Sequence, residues 1–185
     1  MDLYEHYYPM SAFETAIREI YFRHAPILKG GLSAYTSQQL VNLREDMLPD
    51  IQALARQGKG FYQHPKPEAL AEVLYASDQH CVASIVSPYY PRYDPVPWHI
   101  SRYYEINCQL YGQSIVCIGN HTLLLEAGDV LIIPPGVWQT GGVFHDQGIL
   151  RSFRIRSSEF QRNLSSLLDC DCPLSEFIRQ TISGS

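Results

Sequence analysis

The sequence predicts an α+β chain, mainly β with helices: a helical first part, a middle of short antiparallel strands closing into a sandwich or barrel, and a helical tail. Three observations carry that expectation. Apolar residues recur every three or four positions up to about residue 78 and alternate thereafter. The alternating stretches are short, closely spaced and bounded by Gly and Pro, which is the signature of sandwiches and barrels. Helical spacing then returns beyond residue 156. The expected boundaries are 1–78 for a helical extension, 79–156 for the β-rich unit and 157–185 for a helix pair.

The first helix opens on the capping box Ser11-Ala12-Phe13-Glu14 and carries Phe13, Ala16, Ile17 and Ile20 on one face. Pro26 and Gly30-Gly31 end it. A second stripe runs through Leu40, Leu43, Met47, Leu48, Ile51 and Leu54, where Pro49 is expected to kink or split the helix. Pro67 opens a third helical segment with Leu70, Val73 and Leu74. Strand signals begin at Val82–Ser87. A loop of Pro88, Pro91, Pro95 and Pro97 with Tyr89, Tyr90 and Tyr93 follows, expected to stay outside the sheet. Its tyrosines suit a pocket lid or an interface. One strand is expected from Trp98 to Tyr111. Ser114–Ile118 and His121–Leu125 form a hairpin through Gly119-Asn120, with Gly at the first position of a type II′ turn. Val130–Ile133 and Ile149–Arg156 complete the strands. The tail carries Phe160, Leu164, Leu167 and Leu168 on one helical face, then Leu174, Phe177, Ile178 and Ile182 on a second.

Composition excludes several classes. The chain has 185 residues with 45% hydrophobic and 18% charged, a globular balance. Its net charge of −5 does not suit a unit that neutralises phosphates by itself, so this stretch is not expected to be a DNA-binding module. No apolar run reaches the ~18 residues of a membrane span, and the N-terminal residues lack the pattern of a secretory signal, so a cytoplasmic protein is expected. The five cysteines, Cys81, Cys108, Cys117, Cys170 and Cys172, are odd in number and are expected to be free thiols. A lone Cys170-x-Cys172 lacks the ligands of a closed zinc site.

Two short patterns lie between residues 98 and 142. The first is His99-x-Ser101-x3-Glu105-x6-Gly112, and the second is Gly128-x5-Pro134-x-Gly136-x2-Gln139. Both resemble the paired motifs of cupin barrels in spacing and glycines. Ser101 and Gln139 stand where that family has histidines, and Tyr93 stands where it has a glycine. The phrase Leu125-Glu126-Ala127-Gly128-Asp129-Val130-Leu131-Ile132-Ile133-Pro134-Pro135, with Tyr104-Glu105-Ile106 upstream, resembles the N-terminal sensor domain of AraC-type transcription regulators. The resemblance covers roughly residues 80–182. It implies a cupin-like antiparallel double-stranded β-barrel followed by a helix pair, and an effector-binding and dimerisation domain. DNA binding would belong to helix-turn-helix units C-terminal to the barrel, absent from this chain; the ending Ser183-Gly184-Ser185 is consistent with a linker.

A catalytic metal normally needs about three protein ligands, and only His99 and Glu105 of the family's set are present. His121 and His145 do not replace the missing pair by motif. No metal, cofactor or catalytic residue is therefore expected. What remains is a group suited to a small polar metabolite such as a sugar: His99, Ser101, Tyr103, Glu105 and Gln139 for hydrogen bonding, with aromatic surface from Trp98 and Trp138. Glu105 has Arg102, Arg151 or Arg154 as alternative ionic partners. Phe160, Leu164, Leu167 and Leu168 form an apolar strip wide enough to contact both the chain's own barrel and a partner in a homodimer. The alternatives are a stand-alone cupin enzyme (isomerase, epimerase or dioxygenase, with His99 and Tyr103 as acid–base pair) and a carbohydrate-binding module.

Overall fold

The structure, a computed structural model, describes residues 9–27, 29–57, 85–86, 90–160, 162 and 171–183. Helices α1 (Ala12–His24) and α2 (Ser37–Arg56) precede strands β1 (Ile85–Val86), β2 (Val96–Ile100), β3 (Tyr103–Tyr111), β4 (Gln113–Ile118), β5 (His121–Glu126), β6 (Val130–Ile133), β7 (Trp138–Gly142) and β8 (Ile149–Arg156), with α3 (Pro173–Ser183) last. The strands form two four-stranded sheets, in the orders β1-β8-β3-β6 and β2-β7-β4-β5, with every strand pair antiparallel. This is a cupin-like barrel with flanking helices.

Both long helices start with the capping arrangement their sequences encode. Ser11 accepts from the Glu14 amide and Glu14 answers to the Ser11 amide; Thr36 and Gln39 do the same for α2. The expected split does not occur: α2 is one helix from Ser37 to Arg56 with Pro49 inside it. Leu48 and Pro49 lie on its exposed side, where the carbonyl that proline leaves without a donor is not forced into an apolar interior. The segment with Pro67, Leu70, Val73 and Leu74 lies outside the described residues.

Two further expectations change. The strand expected from Trp98 to Tyr111 is two strands, broken at Ser101-Arg102, and its halves belong to different sheets. The Pro/Tyr loop is shorter than expected, because β2 already begins at Val96 and includes Pro97. β2 is an edge strand, the place in a sheet where proline's missing N–H is tolerated. The hairpin at Gly119-Asn120 stands as expected: Gly119 has φ 56°, and among described non-glycine residues only Tyr93 has positive φ.

The cores sit on both faces of the second sheet. Ile17, Ile20 and Tyr21 of α1 and Leu40, Leu43 and Met47 of α2 pack with Ile115, Cys117 and Phe144 on its outer side. Between the sheets lie Val116, Leu125, Ile133, Val143 and Leu150. The helical first part thus shares its core with the barrel. On the outer face of the first sheet Tyr104 is covered by Phe160, with Phe177 beside it. Cys108, Cys117 and Cys172 are free thiols.

Candidate functional site

The break at Ser101-Arg102 creates the site. Chain reversal between β2 and β3 sets His99 on one sheet and Glu105 on the other, so that they meet across the barrel. In β2, His99 stands directly opposite Gln139 of β7, and both side chains are buried. In β3, Glu105 and Asn107 follow at the two-residue period and point inward together. β8 places Arg154 opposite Glu105 and Ser152 opposite Asn107.

Arg154 Nε lies 3.1 Å from Glu105 Oε1, and both side chains are under one-tenth exposed. Of the three arginines expected to compete for Glu105, register therefore selects Arg154. Its Nη2 donates to the Tyr90 hydroxyl at 2.8 Å. His99 Nδ1 lies 2.8 Å from the Pro97 carbonyl, which only accepts, so Nδ1 carries the proton. The other ring nitrogen, Nε2, faces Glu105 Oε1 at 3.8 Å. Burial by itself would raise the Glu105 pKa, but the facing His99 ring, the Arg154 charge and the Ser101 hydroxyl outweigh it and hold the carboxyl below its ordinary range. The carboxylate is thereby kept ionised.

Tyr90, His99, Glu105, Asn107 and Gln139 line one cavity, with Val116, Val143 and Leu150 among its apolar walls; Arg154 stands behind Glu105 and is not part of the lining. Its room for water-sized groups is about 20 Å³, enough for one water. Two of its polar atoms, Asn107 Oδ1 and Gln139 Nε2, are buried and without a hydrogen-bond partner among the described residues. Asn107 is 4% exposed and Gln139 3%. One is an acceptor and the other a donor, so a ligand's hydroxyl or amide groups suit them.

Not every expected site residue joins them. His99, Glu105 and Gln139 come together; Ser101, Tyr103, Trp98 and Trp138 do not line the cavity. Ser101 Oγ accepts from the Tyr103 amide at 3.1 Å, and its carbonyl accepts from Gly136. Tyr103 starts β3 opposite Arg156. Trp98 and Trp138 neighbour inward-facing residues and so point outward, stacked on each other at 6.1 Å, with Trp138 half exposed. Phe160 stacks on Tyr104 at 3.8 Å, against its own barrel. Leu164, Leu167 and Leu168 lie outside the described residues. Sequence reasoning missed Asn107 and Thr140, whereas Tyr90, one of the loop tyrosines suited to a pocket lid or an interface, does line the cavity. Asn107 was reachable, since it sits two residues beyond Glu105 on the same strand face.

The cupin frame implies a metal ion, and the residues present do not fit one. Ser101 Oγ is engaged with a backbone amide, Gln139 offers a neutral amide, and the Arg154 guanidinium already sits on the carboxylate that a cation would use. Among the described residues no group of three His, Cys, Asp or Glu side chains converges as a metal site.

The barrel with its buried polar cluster is of the cupin type. Residues 84–171 match the family model described as "AraC-like ligand binding domain". Similar solved structures include a Cupin 2 conserved barrel domain protein from Salinispora arenicola, at 16% identity and TM-score 0.34, covering 49% of this chain and 78% of that one. An RmlC-like cupin from Shewanella frigidimarina shares 20% identity with TM-score 0.34, covering 40% and 67%. A cupin-like protein from Thermotoga maritima shares 17% with TM-score 0.36, covering 46% and 77%. No curated protein matches the chain significantly. Among the described residues no helix is long and apolar enough to cross a membrane.

Proposed function

We propose that this chain is the effector-sensing and dimerisation part of an AraC-type transcription regulator. DNA binding would reside in a part of the regulator that this chain does not include. The barrel takes a small polar metabolite such as a sugar, and Phe160, Leu164, Leu167 and Leu168 contribute to a homodimer. The observation that supports sensing is the buried Asn107 Oδ1 and Gln139 Nε2, an acceptor and a donor on one cavity without hydrogen-bond partners among the described residues. Buried polar groups are rarely left unmet, and each costs roughly 1–3 kcal/mol until a partner arrives.

The cavity's size gives the mechanism. With room for one water, it admits a larger metabolite only in a more open arrangement. A ligand therefore binds the opened arrangement better and shifts the population toward it. A preference of about 1–3 kcal/mol is the usual size of such coupling.

The experiment is a thermal-shift screen of monosaccharides and other small polar metabolites, repeated with Gln139→Leu. A ligand at ~100 times its Kd stabilises by about 2.7 kcal/mol, which is roughly 5–10 °C for a chain of this size. The expected result is a shift in that range that Gln139→Leu removes. A screen without hits, or hits indifferent to Gln139→Leu, overturns the assignment.

A further inference from the structure

The sensing assignment leaves open what kind of molecule the cavity selects, and its charges answer that. Glu105 contributes one negative charge and Arg154 one positive, in direct contact at 3.1 Å. Both side chains are almost wholly buried, at 1% and 7% exposed. They come from adjacent strands at registered positions, so the contact is fixed by the sheet and not by flexible side chains reaching out from its rim. Tyr90 takes a further Arg154 donor, and its own burial keeps it a neutral phenol. His99 is the remaining titratable group on the cavity, and it adds a positive charge only when protonated. Among the buried polar atoms of the cavity's lining without a hydrogen-bond partner in the described residues, Asn107 Oδ1 and Gln139 Nε2 belong to neutral amides, whereas Glu105 Oε1 is already faced by the Arg154 guanidinium.

We infer that the Glu105–Arg154 pair closes the cavity electrically, so that it selects an uncharged ligand bearing a hydroxyl or amide and rejects both metal cations and anions. A cation would have to displace the guanidinium from Glu105. An anion would have to draw Arg154 from its carboxylate and then sit beside that carboxylate in a site with little water. Either exchange leaves one buried charge uncompensated, which costs more than a new contact returns. Uncharged hydroxyl or amide groups disturb neither and suit the waiting donor and acceptor.

This inference rests on the sensing assignment, and its test separates the two. The purified chain is titrated at pH 8 by calorimetry with Ni²⁺ and with inorganic phosphate. Thermal shifts are then compared for matched pairs: acetamide with acetate, D-glucose with D-glucuronate, D-galactose with D-galacturonate, and glycerol with glycerol 3-phosphate. The expected outcome is no saturable Ni²⁺ or phosphate binding, and a preference of about tenfold or more for the neutral member of any pair that binds. Stoichiometric Ni²⁺ uptake abolished by His99→Ala, or an anion that binds as well as its neutral counterpart, overturns the charge inference while leaving a sensor in place. If no member of any pair binds, the sensing assignment fails and the selection of an uncharged ligand fails with it, whatever the two ions do. Glu105→Gln, nearly isosteric, exposes the Arg154 charge and should invert the preference toward the anions; a folded variant that keeps the neutral preference overturns the inference. Should Glu105→Gln not fold, the wild-type titrations and pairs decide alone.

Discussion

Tyr93 holds a backbone conformation that side chains avoid, with φ 66°, at the position where the cupin motif has a glycine. Such a residue persists only where its surroundings over-determine it. Here its amide donates to the Val143 carbonyl, its hydroxyl donates to Asp146, and its ring lies against Tyr21 and Phe22 of α1. Next to it Arg92 makes a fork on Glu14, with Nε to one carboxylate oxygen and Nη2 to the other, both at 2.9 Å. Two neighbouring residues thus tie α1 to the barrel, one by strain tolerated and one by charge. Glu14 is 1% exposed and Arg92 5%. Glu14→Gln keeps the shape but strands a buried guanidinium, and urea denaturation should show a loss of about 3–5 kcal/mol. The neighbouring Arg18–Asp146 pair is 40% and 49% exposed, and Arg18→Gln should cost under about 1 kcal/mol because water already screens that contact. Equal losses for the two variants would mean that burial does not set the strength of these pairs.

At the level of elements, the sequence displayed some strands and hid one. β4 and β5 announced themselves by alternation around a turn glycine. β7 did not, because Trp138-Gln139-Thr140-Gly141-Gly142 carries polar residues and glycines where strand formers are expected. The reason is steric: a Cβ on Gly141 would stand 2.3 Å from the Ile115 carbonyl oxygen, and one on Gly142 would stand 2.5 Å from the Phe144 ring. Gly141→Ala should therefore destabilise by about 1–3 kcal/mol through forced strand displacement. Gly119→Ala meets open space and should cost only the left-handed backbone term, about 1–2 kcal/mol. The two variants separate further in ligand response: Gly141→Ala shifts the strand that carries Gln139, whereas Gly119 lies in the hairpin turn away from the cavity. A sensor response lost in Gly119→Ala and kept in Gly141→Ala would contradict that placement. β3 shows the same tension between pattern and role. Its inward residues Glu105, Asn107 and Gln109 are polar and its outward Tyr104 and Ile106 apolar, the reverse of an ordinary strand. The motif spacing made His99, Glu105 and Gln139 legible. The pairing of Glu105 with Arg154 was not, since it depends on a β3–β8 register that no local pattern encodes.

Over the whole molecule, the helices and the barrel share one apolar interior, and this bears on how the chain unfolds. Ile17, Leu40 and Met47 are fully buried, and what buries them includes Ile115 and Cys117 of the central strand β4 as well as Phe144. The reverse also holds: without α1 and α2 the outer face of β4 would lie open to water. Each side is therefore incomplete alone, whereas independently folding units would each enclose their own core. Leu40→Ala removes a side chain with 0% exposure at this junction and should lower stability by about 2–5 kcal/mol. The loss should appear in barrel and helices together. Fluorescence of Trp98 and Trp138 reports β2 and β7, while far-UV circular dichroism reports mainly the helices. In wild type and in Leu40→Ala the two signals should give coincident urea transitions, moved to lower urea in the variant. Were the helices an appended unit, Leu40→Ala would shift the dichroism transition and leave the tryptophan transition where it was. Coincidence has a functional corollary, because a ligand that stabilises the barrel must then stabilise α1 and α2 by the same free energy. The helices are in this way part of what an effector acts on.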